Sequence, residues 1–248
     1  MKAIICAAGQ GRRLRPYTDN IPKCLIRIGR KRIIEYALDN LSACGINEVI
    51  IVAGYKSKKF RKMIGTRYKN CRIKYRINKN YGKTDNMYSL WEARDDIDDG
   101  FIFLNADVLF NINILKNLIS AAYPDIAVID NKIKLEKNAM KVKVARNRII
   151  GIGRNLRDSN ARAIGIYRYS PKGARKYFME IKKVISKNKN QISLGKSFGQ
   201  IEMAIHQFIM HSNLYIIKTG KYAWQEIDNA NDLRKANKRL KLILKNDN

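Results

Sequence analysis

Histidine is almost missing from this chain of 248 residues, where His206 and His211 are the only two. They stand five apart with no carboxylates clustered beside them, which argues against a zinc site. Cysteine is scarce too. Cys6, Cys24, Cys44 and Cys71 are widely separated and form no C-x-x-C pair, so free thiols are expected, with Cys6 and Cys24 buried in apolar context. No apolar run approaches the ~20 residues that cross a bilayer. The first residues lack the basic, apolar and small-residue succession of a signal peptide, and a cytoplasmic protein is the expectation. Acidic residues are also in short supply: 21 Asp and Glu face 50 Lys and Arg, a net charge of +29. Such a field favours polyanions. The cations are nevertheless dispersed through 56–62, 154–168, 172–189 and 234–245, and no nucleic-acid motif accompanies them. A solvated basic surface is therefore expected, without a specific nucleic-acid partner.

What is present suits a folded α/β chain. Hydrophobic residues make up 46% of it, enough with this length for one substantial core. The densest signal is the opening stretch, MKAIICAAGQGRRLRPYTDNIPKCL. Its apolar run at 3–8 has no polar alternation and predicts a buried parallel strand. Gly9-Gln10-Gly11 ends that run, followed by Arg12, Arg13 and Arg15 and then Pro22-Lys23. A glycine turn after a buried strand lets backbone N–H groups approach a polyphosphate, and the cations neutralise the same charge. Leu14 stands where the Rossmann fingerprint needs its third glycine, and the P-loop Gly-Lys-Ser/Thr is absent.

Downstream, apolar periodicity predicts helices over 33–44, 56–64, 111–122, 171–185, 197–210 and 230–244. Strands are predicted over 48–53, 72–77, 101–105, 125–130, 164–170 and 213–218, with a hairpin of 140–145 and 149–152. The polar segment 78–90 opens a helix running to about 96, with Asp85 or Thr84 as its cap, and 187–196 reads as a polar loop. The strand–helix rhythm predicts parallel pairing through right-handed crossovers. Glu92, Asp95, Asp96, Asp98 and Asp99 read as a solvated turn, not a metal site. Asp107 directly follows the strand 101–105, where open α/β sheets bind ligands and where a carboxylate can share Mg²⁺ with phosphate oxygens. Asp228 or Asn229 is positioned to cap the last helix.

The pattern AAGxGxRLxPxT…PKxL resembles the signature of the nucleoside-triphosphate-sugar nucleotidyltransferases, and its variant here is similar to the phosphocholine cytidylyltransferase branch. The resemblance implies a three-layer Rossmann-like fold with a mostly parallel central sheet and a small β-hairpin insertion. It implies one domain, 1–248, with residues 1–130 as the nucleotide-binding half and 131–248 as the acceptor-binding half. Ala7, Ala8, Gly9, Gly11, Arg12 and Arg13 would then surround the triphosphate. Arg13 and Lys23 take the catalytic positions, on the α-phosphate and on phosphate respectively. Arg12 departs from the small Ser or Thr usual there and adds a cation. Within 78–90, Asn78, Asn86 and Ser89 match the positions facing base and ribose. Asp107, and Asp228 in the [YW]-x-E-I-D marker, match the Mg²⁺ ligands.

The implied reaction is attack of an acceptor phosphate oxygen on the α-phosphorus of CTP, with pyrophosphate leaving. Such catalysis is positioning plus charge stabilisation, and the near absence of histidine agrees with it. For the acceptor, Tyr167, Glu202, Trp224 and Glu226 are candidates, with Tyr88, Trp91 and Tyr169 as further rings for a cationic head group. Gly199-Gln200-Ile201-Glu202 is poor in aromatics, so an inositol, glycerol or amino-alcohol phosphate stays open beside phosphocholine. Two alternatives stand next to a Mg²⁺-dependent cytidylyltransferase. One is a sugar-1-phosphate uridylyl- or thymidylyltransferase, disfavoured by the Tyr-Ser-Leu loop. The other is an inactive polyanion-binding module, disfavoured by retention of Arg13, Lys23, Asp107 and Asp228 together. Nothing in the sequence signals an oligomeric state.

Overall fold

The computed structural model describes residues 1–132, 139–188 and 201–245. The chain begins with β1 (Lys2–Ala7), the ribbon β2 (Arg27–Ile28) and β3 (Lys31–Arg32), α1 (Ile33–Ala43) and β4 (Glu48–Ala53). Next come α2 (Lys58–Met63), β5 (Arg67–Tyr68), β6 (Cys71–Ile77), α3 (Asn86–Glu92), β7 (Phe101–Asn105) and β8 (Val108–Phe110). Then follow α4 (Ile112–Ser120), β9 (Ile126–Asp130), β10 (Lys141–Ala145), β11 (Arg148–Gly153) and β12 (Ala161–Tyr169). The last are α5 (Pro171–Lys187), α6 (Ile201–His211), β13 (Tyr215–Lys218), β14 (Trp224–Glu226) and α7 (Ala230–Ile243).

Among the described residues ten strands form one sheet, in the order β10-β11-β13-β9-β12-β7-β1-β4-β6-β5. The block β7-β1-β4-β6 is parallel, as the alternation of strands and helices predicts. In register, Cys6 faces Val52 on one side and Asn105 on the other, so three strands end level beneath the glycine loop. Beyond β7 the sheet is mixed: β12 runs antiparallel to both β7 and β9, and β13 is parallel to β9. The hairpin β10–β11 is present and extends the sheet through β13 and β12.

Successive side chains of a strand point to opposite faces, and here both faces are covered. Ala3, Ile5, Val49, Ile51, Ile102 and Leu104 pack on α1, α4 and Phe60 of α2. Ile4, Cys6, Ile50, Val52, Phe101 and Phe103 pack on α3, α5 and α6. Two buried faces leave no polar alternation, which is why these strands read as continuous apolar runs. A third cluster joins Leu14, Ile26 and Ile28 to Leu233, Ala236 and Ile243 of α7. Asn111 ties the chain end to it by donating to the carbonyls of Ile243 and Lys245.

Several expectations are refined. Asp85 is the cap of α3, its Oδ1 accepting from the Asn86 N–H at 2.7 Å. The helix stops at Glu92 and a 3-10 turn, Arg94–Asp96, follows. Asp96 is buried and held by both Arg76 (2.6 and 2.7 Å) and Lys74 (2.6 Å), so the acidic cluster is only partly a solvated turn. Not every cation is solvated either: the buried Arg168 guanidinium donates to the carbonyls of Leu118, Ile119, Ala121 and Tyr123. Cys6, Cys24 and Cys71 are free and buried, and Cys44 is free and half-buried. The predicted loop 187–196 lies outside the described residues beyond Asn188, as do 197–200 of the helix predicted to begin there. Among the described residues no helix is long and apolar enough to cross a membrane.

Candidate active site

Asp107 and Asp228 are distant in sequence, and a small ladder brings them together. They do not both lie at strand-to-helix junctions of one sheet. β8 and β14 form a separate two-stranded antiparallel sheet, with Trp224 opposite Phe110 and Glu226 opposite Val108. One step further, the Ile227 N–H donates to the Asp107 carbonyl at 3.0 Å. Asp107 lies in the turn from β7 to β8, and Asp228 lies between β14 and α7, whose cap is Asn229. The same ladder delivers Glu226. Oxygens of Asp107, Glu226 and Asp228 all lie within 4.8 Å of one another.

Two cations meet this triad. Lys23 Nζ lies 2.5 Å from Asp107 Oδ2 and 3.1 Å from Asp228 Oδ1. Arg13 Nη2 reaches the same Asp228 oxygen at 3.0 Å. Burial disfavours the Lys23 ammonium, but Asp107 and Asp228 outweigh it and hold the group charged, above its ordinary pKa. Burial likewise works against ionised Asp228, yet Lys23 and Arg13 keep its carboxyl below the usual range. Glu226 has weaker help, from Arg162 at 2.7 Å. Burial first, and then the charges of Asp107 and Asp228, push its carboxyl up to about 7.

A divalent hard cation fits this donor set. Three carboxylates converge, and the buried Asp107 Oδ1 has no hydrogen-bond partner among the described residues. Glu226 lies beside Asp107 and Asp228 and also borders the recess that holds Tyr167 and Glu202.

These groups open on a cleft of about 310 Å³ that Ala7, Gly9, Gly11, Arg12, Arg13 and Asn86 also line. The Arg12 Nε donates to Gln10 Oε1 at 2.6 Å, leaving the guanidinium on the outer wall. Three expected residues do not reach the cleft. Ala8 is buried below the loop, where its carbonyl accepts from the Tyr55 N–H at 3.0 Å. Asn78 and Ser89 of α3 are buried away from the cleft, where Asn78 Nδ2 donates to Ser89 Oγ at 3.1 Å and to Thr84 Oγ1 at 3.0 Å. Asn86 faces inward and donates to Asn105 Oδ1 at 3.1 Å.

The acceptor candidates divide between two hollows. Tyr167, Glu202 and Glu226 line a recess of about 40 Å³ that also includes Asp85, Asn86, Asn105 and Arg154, all of which line the main cleft. Glu202 Oε1 is 3.7 Å from Arg154 Nε, while its buried Oε2 has no partner among the described residues. Trp224 is instead buried in the ladder: its Nε1 donates to Asp130 Oδ2 at 2.6 Å, and Arg162 stacks 4.7 Å from the ring. It borders a different hollow, with Lys235 and Arg239. Asn105 and Arg154 are site residues that sequence reasoning passed over. Asn105 ends a predicted strand two positions before Asp107, which was a usable signal; Arg154 was hidden in a basic run.

The chain is similar to several known proteins. The choline-phosphate cytidylyltransferase of Streptococcus pneumoniae is 36% identical over 117 residues, which are 47% of this chain and 49% of that protein. The chain thus spans about half the length of that curated relative. The CTP:phosphoglutamine cytidylyltransferase of Campylobacter jejuni is 29% identical over 188 residues, covering 68% of this chain and 73% of that one. Among solved structures, the CTP:phosphocholine cytidylyltransferase from Streptococcus pneumoniae superposes with a TM-score of 0.72 at 25% identity, over 96% of this chain and 98% of that one. The profile of the family described as Nucleotidyl transferase matches residues 2–241, and the chain belongs to that family.

Proposed function

We propose that this protein is a Mg²⁺-dependent cytidylyltransferase that transfers CMP from CTP to a small phosphorylated alcohol and releases pyrophosphate. The observation that carries this reading is the triad of Asp107, Glu226 and Asp228 beside Arg13 and Lys23, at the mouth of the glycine loop. Two of the relatives above are named for cytidylyl transfer to choline phosphate and phosphoglutamine, which supports CTP as donor. Residues 1–130 serve the nucleotide and 131–248 the acceptor.

The acceptor phosphate oxygen attacks the α-phosphorus in line, forming a new P–O bond. The bond from the α-phosphorus to the bridging oxygen breaks, and its electron pair leaves with pyrophosphate. The acceptor enters as a phosphate anion, so no general base is required. Asp107, Glu226 and Asp228 would hold Mg²⁺, which when bound would supply charge neutralisation at the phosphate oxygens. Gly9 and Gly11 let the triphosphate approach the backbone, and Arg12, Arg13 and Lys23 offset its charge. Asn86 contacts the nucleoside from the cleft wall, while Asn78 and Ser89 hold its loop from behind. Arg154 stands between cleft and recess, placed to hold the acceptor phosphate. The unpartnered Glu202 oxygen then favours an amino-alcohol phosphate, whose ammonium group satisfies it.

The test is pyrophosphate release from CTP, UTP and dTTP, each with choline phosphate, ethanolamine phosphate, glycerol phosphate, inositol 1-phosphate and glucose 1-phosphate. Turnover with CTP and an amino-alcohol phosphate is expected. Turnover confined to UTP or dTTP with glucose 1-phosphate would establish the sugar-nucleotide alternative instead.

A further inference from the structure

The Lys23 ammonium lies against two of the three carboxylates that would hold a metal ion. Its Nζ is 2.5 Å from Asp107 Oδ2 and 3.1 Å from Asp228 Oδ1, and Arg13 adds a second cation 3.0 Å from that Asp228 oxygen. Mg²⁺ sits about 2.0–2.1 Å from its carboxylate oxygens. An ion at that distance from Asp107 Oδ2 or Asp228 Oδ1 and an ammonium at the observed ones would lie within a few ångströms of each other. Both cations cannot be held there at once without strong repulsion. The lysine therefore competes with a metal held through those two oxygens.

The chain offers it somewhere to go. The Lys23 stem runs against the glycine loop: a Cβ built on Gly11 would lie 3.0 Å from Lys23 Cβ. That loop and Lys23 line the same cleft, so a triphosphate held by the loop would lie within the cleft that Lys23 faces. A triphosphate in the cleft presents more negative charge than Asp107 and Asp228 do.

We propose that Lys23, assisted by Arg13, is a built-in counter-ion that keeps the carboxylate triad from binding a divalent metal until a nucleoside triphosphate draws the lysine away. This inference rests on the reading of the cleft as a nucleotidyl-transfer site. Its consequence is positive coupling between metal and triphosphate. By linkage the coupling is reciprocal, so each ligand tightens the other by the same factor. The device limits assembly of the reactive site to occasions when the nucleotide is present.

The experiment is titration of the whole protein with Mn²⁺ alone, followed by the electron paramagnetic resonance signal of free Mn²⁺. Wild-type protein is compared with Lys23→Met, which keeps the stem and removes the charge, and with Lys23→Arg, which keeps the charge. Lys23→Met should bind Mn²⁺ about tenfold or more tightly than wild type, within the ~5–150-fold range of ordinary coupling. Lys23→Arg should stay near wild type. A second measurement, on wild type and on Lys23→Met, adds the non-hydrolysable analogue α,β-methylene-CTP, with Mn²⁺ chelation by the analogue subtracted in a protein-free blank. Protein-bound Mn²⁺ should tighten by a similar factor, and that gain should shrink in Lys23→Met. Equal or weaker Mn²⁺ binding by folded Lys23→Met would overturn the counter-ion role and leave the transferase reading standing. Wild-type protein that binds no analogue at all would contradict that reading and this inference with it.

Discussion

Substituting Gly11 by alanine tests how the glycine loop sets the position of Lys23. Gly11 has φ +62°, and a Cβ there would lie 3.0 Å from both Lys23 Cβ and Thr18 Cγ2. The Thr18 hydroxyl donates to the Gly11 carbonyl at 2.9 Å, and the Leu14 N–H donates to the same oxygen at 2.9 Å, so the loop cannot simply swing aside. Left-handed backbone costs an L-residue ~1–2 kcal/mol. Restricting the unfolded chain returns ~0.4–1 kcal/mol. The net loss is about 1 kcal/mol, and for a chain of this size each kcal/mol lowers Tm by ~2–4 °C. Activity should suffer more than stability, because pushing the Lys23 stem moves its ammonium relative to the triphosphate whose charge it offsets. Misplacing a charge stabiliser by about 1 Å can cost ~10²-fold. The assay pairs thermal unfolding of the ligand-free protein with kcat/KM for CTP, expecting Tm lower by ~2–4 °C and a rate lower by ~10–10²-fold. Gly9→Ala is the internal contrast, since its Cβ meets nothing within 4 Å, and its Tm should match wild type. A Gly11→Ala protein with unchanged Tm and a rate within about twofold of wild type would refute the argument that φ and the close approach to Lys23 matter.

Further outcomes follow from the same structure. Asp107→Ala and Asp228→Ala should each abolish turnover at saturating Mg²⁺ while circular dichroism and Tm stay near wild type; comparable activity in either variant removes that carboxylate from the metal site. Asp96 should give acid sensitivity far from the cleft. Hydrogen bonds from Arg76, against burial, lower its carboxyl to about 2, so its stabilisation is present above its unfolded value near 4 and lost as pH falls toward 2. Asp96→Asn should therefore flatten the fall in stability over that window and cost about 1–2 kcal/mol at neutral pH, allowing for the exposed partners Lys74 and Arg76; an unchanged acid unfolding curve would contradict this. The affinity for CTP should weaken with added salt, because Arg12, Arg13 and Lys23 attract it electrostatically, while RNA should not compete at physiological salt, where the Debye length is ~8 Å. Tight RNA binding that blocks transfer would favour the polyanion-binding alternative.

The parallel block of the sheet was legible because β1, β4 and β7 are buried on both faces and carry uninterrupted apolar runs. The mixed half was not. β12 is buried throughout and reads like a parallel strand, and only its neighbours β7 and β9 decide that it runs the other way. β8 and β14 have three residues each, too few to show a period, yet they determine the geometry of the metal site. The closeness of Glu226 to Asp107 was not legible either, because it depends on a ladder with no sequence signature. Asn78 and Ser89 illustrate the reverse. Their spacing relative to Asn86 is visible in sequence, but which of the three faces the cleft depends on where α3 begins.

The most direct test of the central claim follows phosphorus itself. The protein is mixed with CTP, Mg²⁺ and an amino-alcohol phosphate, and the reaction is watched by phosphorus-31 nuclear magnetic resonance. The account requires the α-phosphorus of CTP and the acceptor phosphorus to become a coupled diphosphate pair, with one pyrophosphate formed for each pair and none formed after chelation of the metal. Release of CMP and pyrophosphate without the coupled pair, or no reaction of CTP with any phosphorylated alcohol, would contradict it.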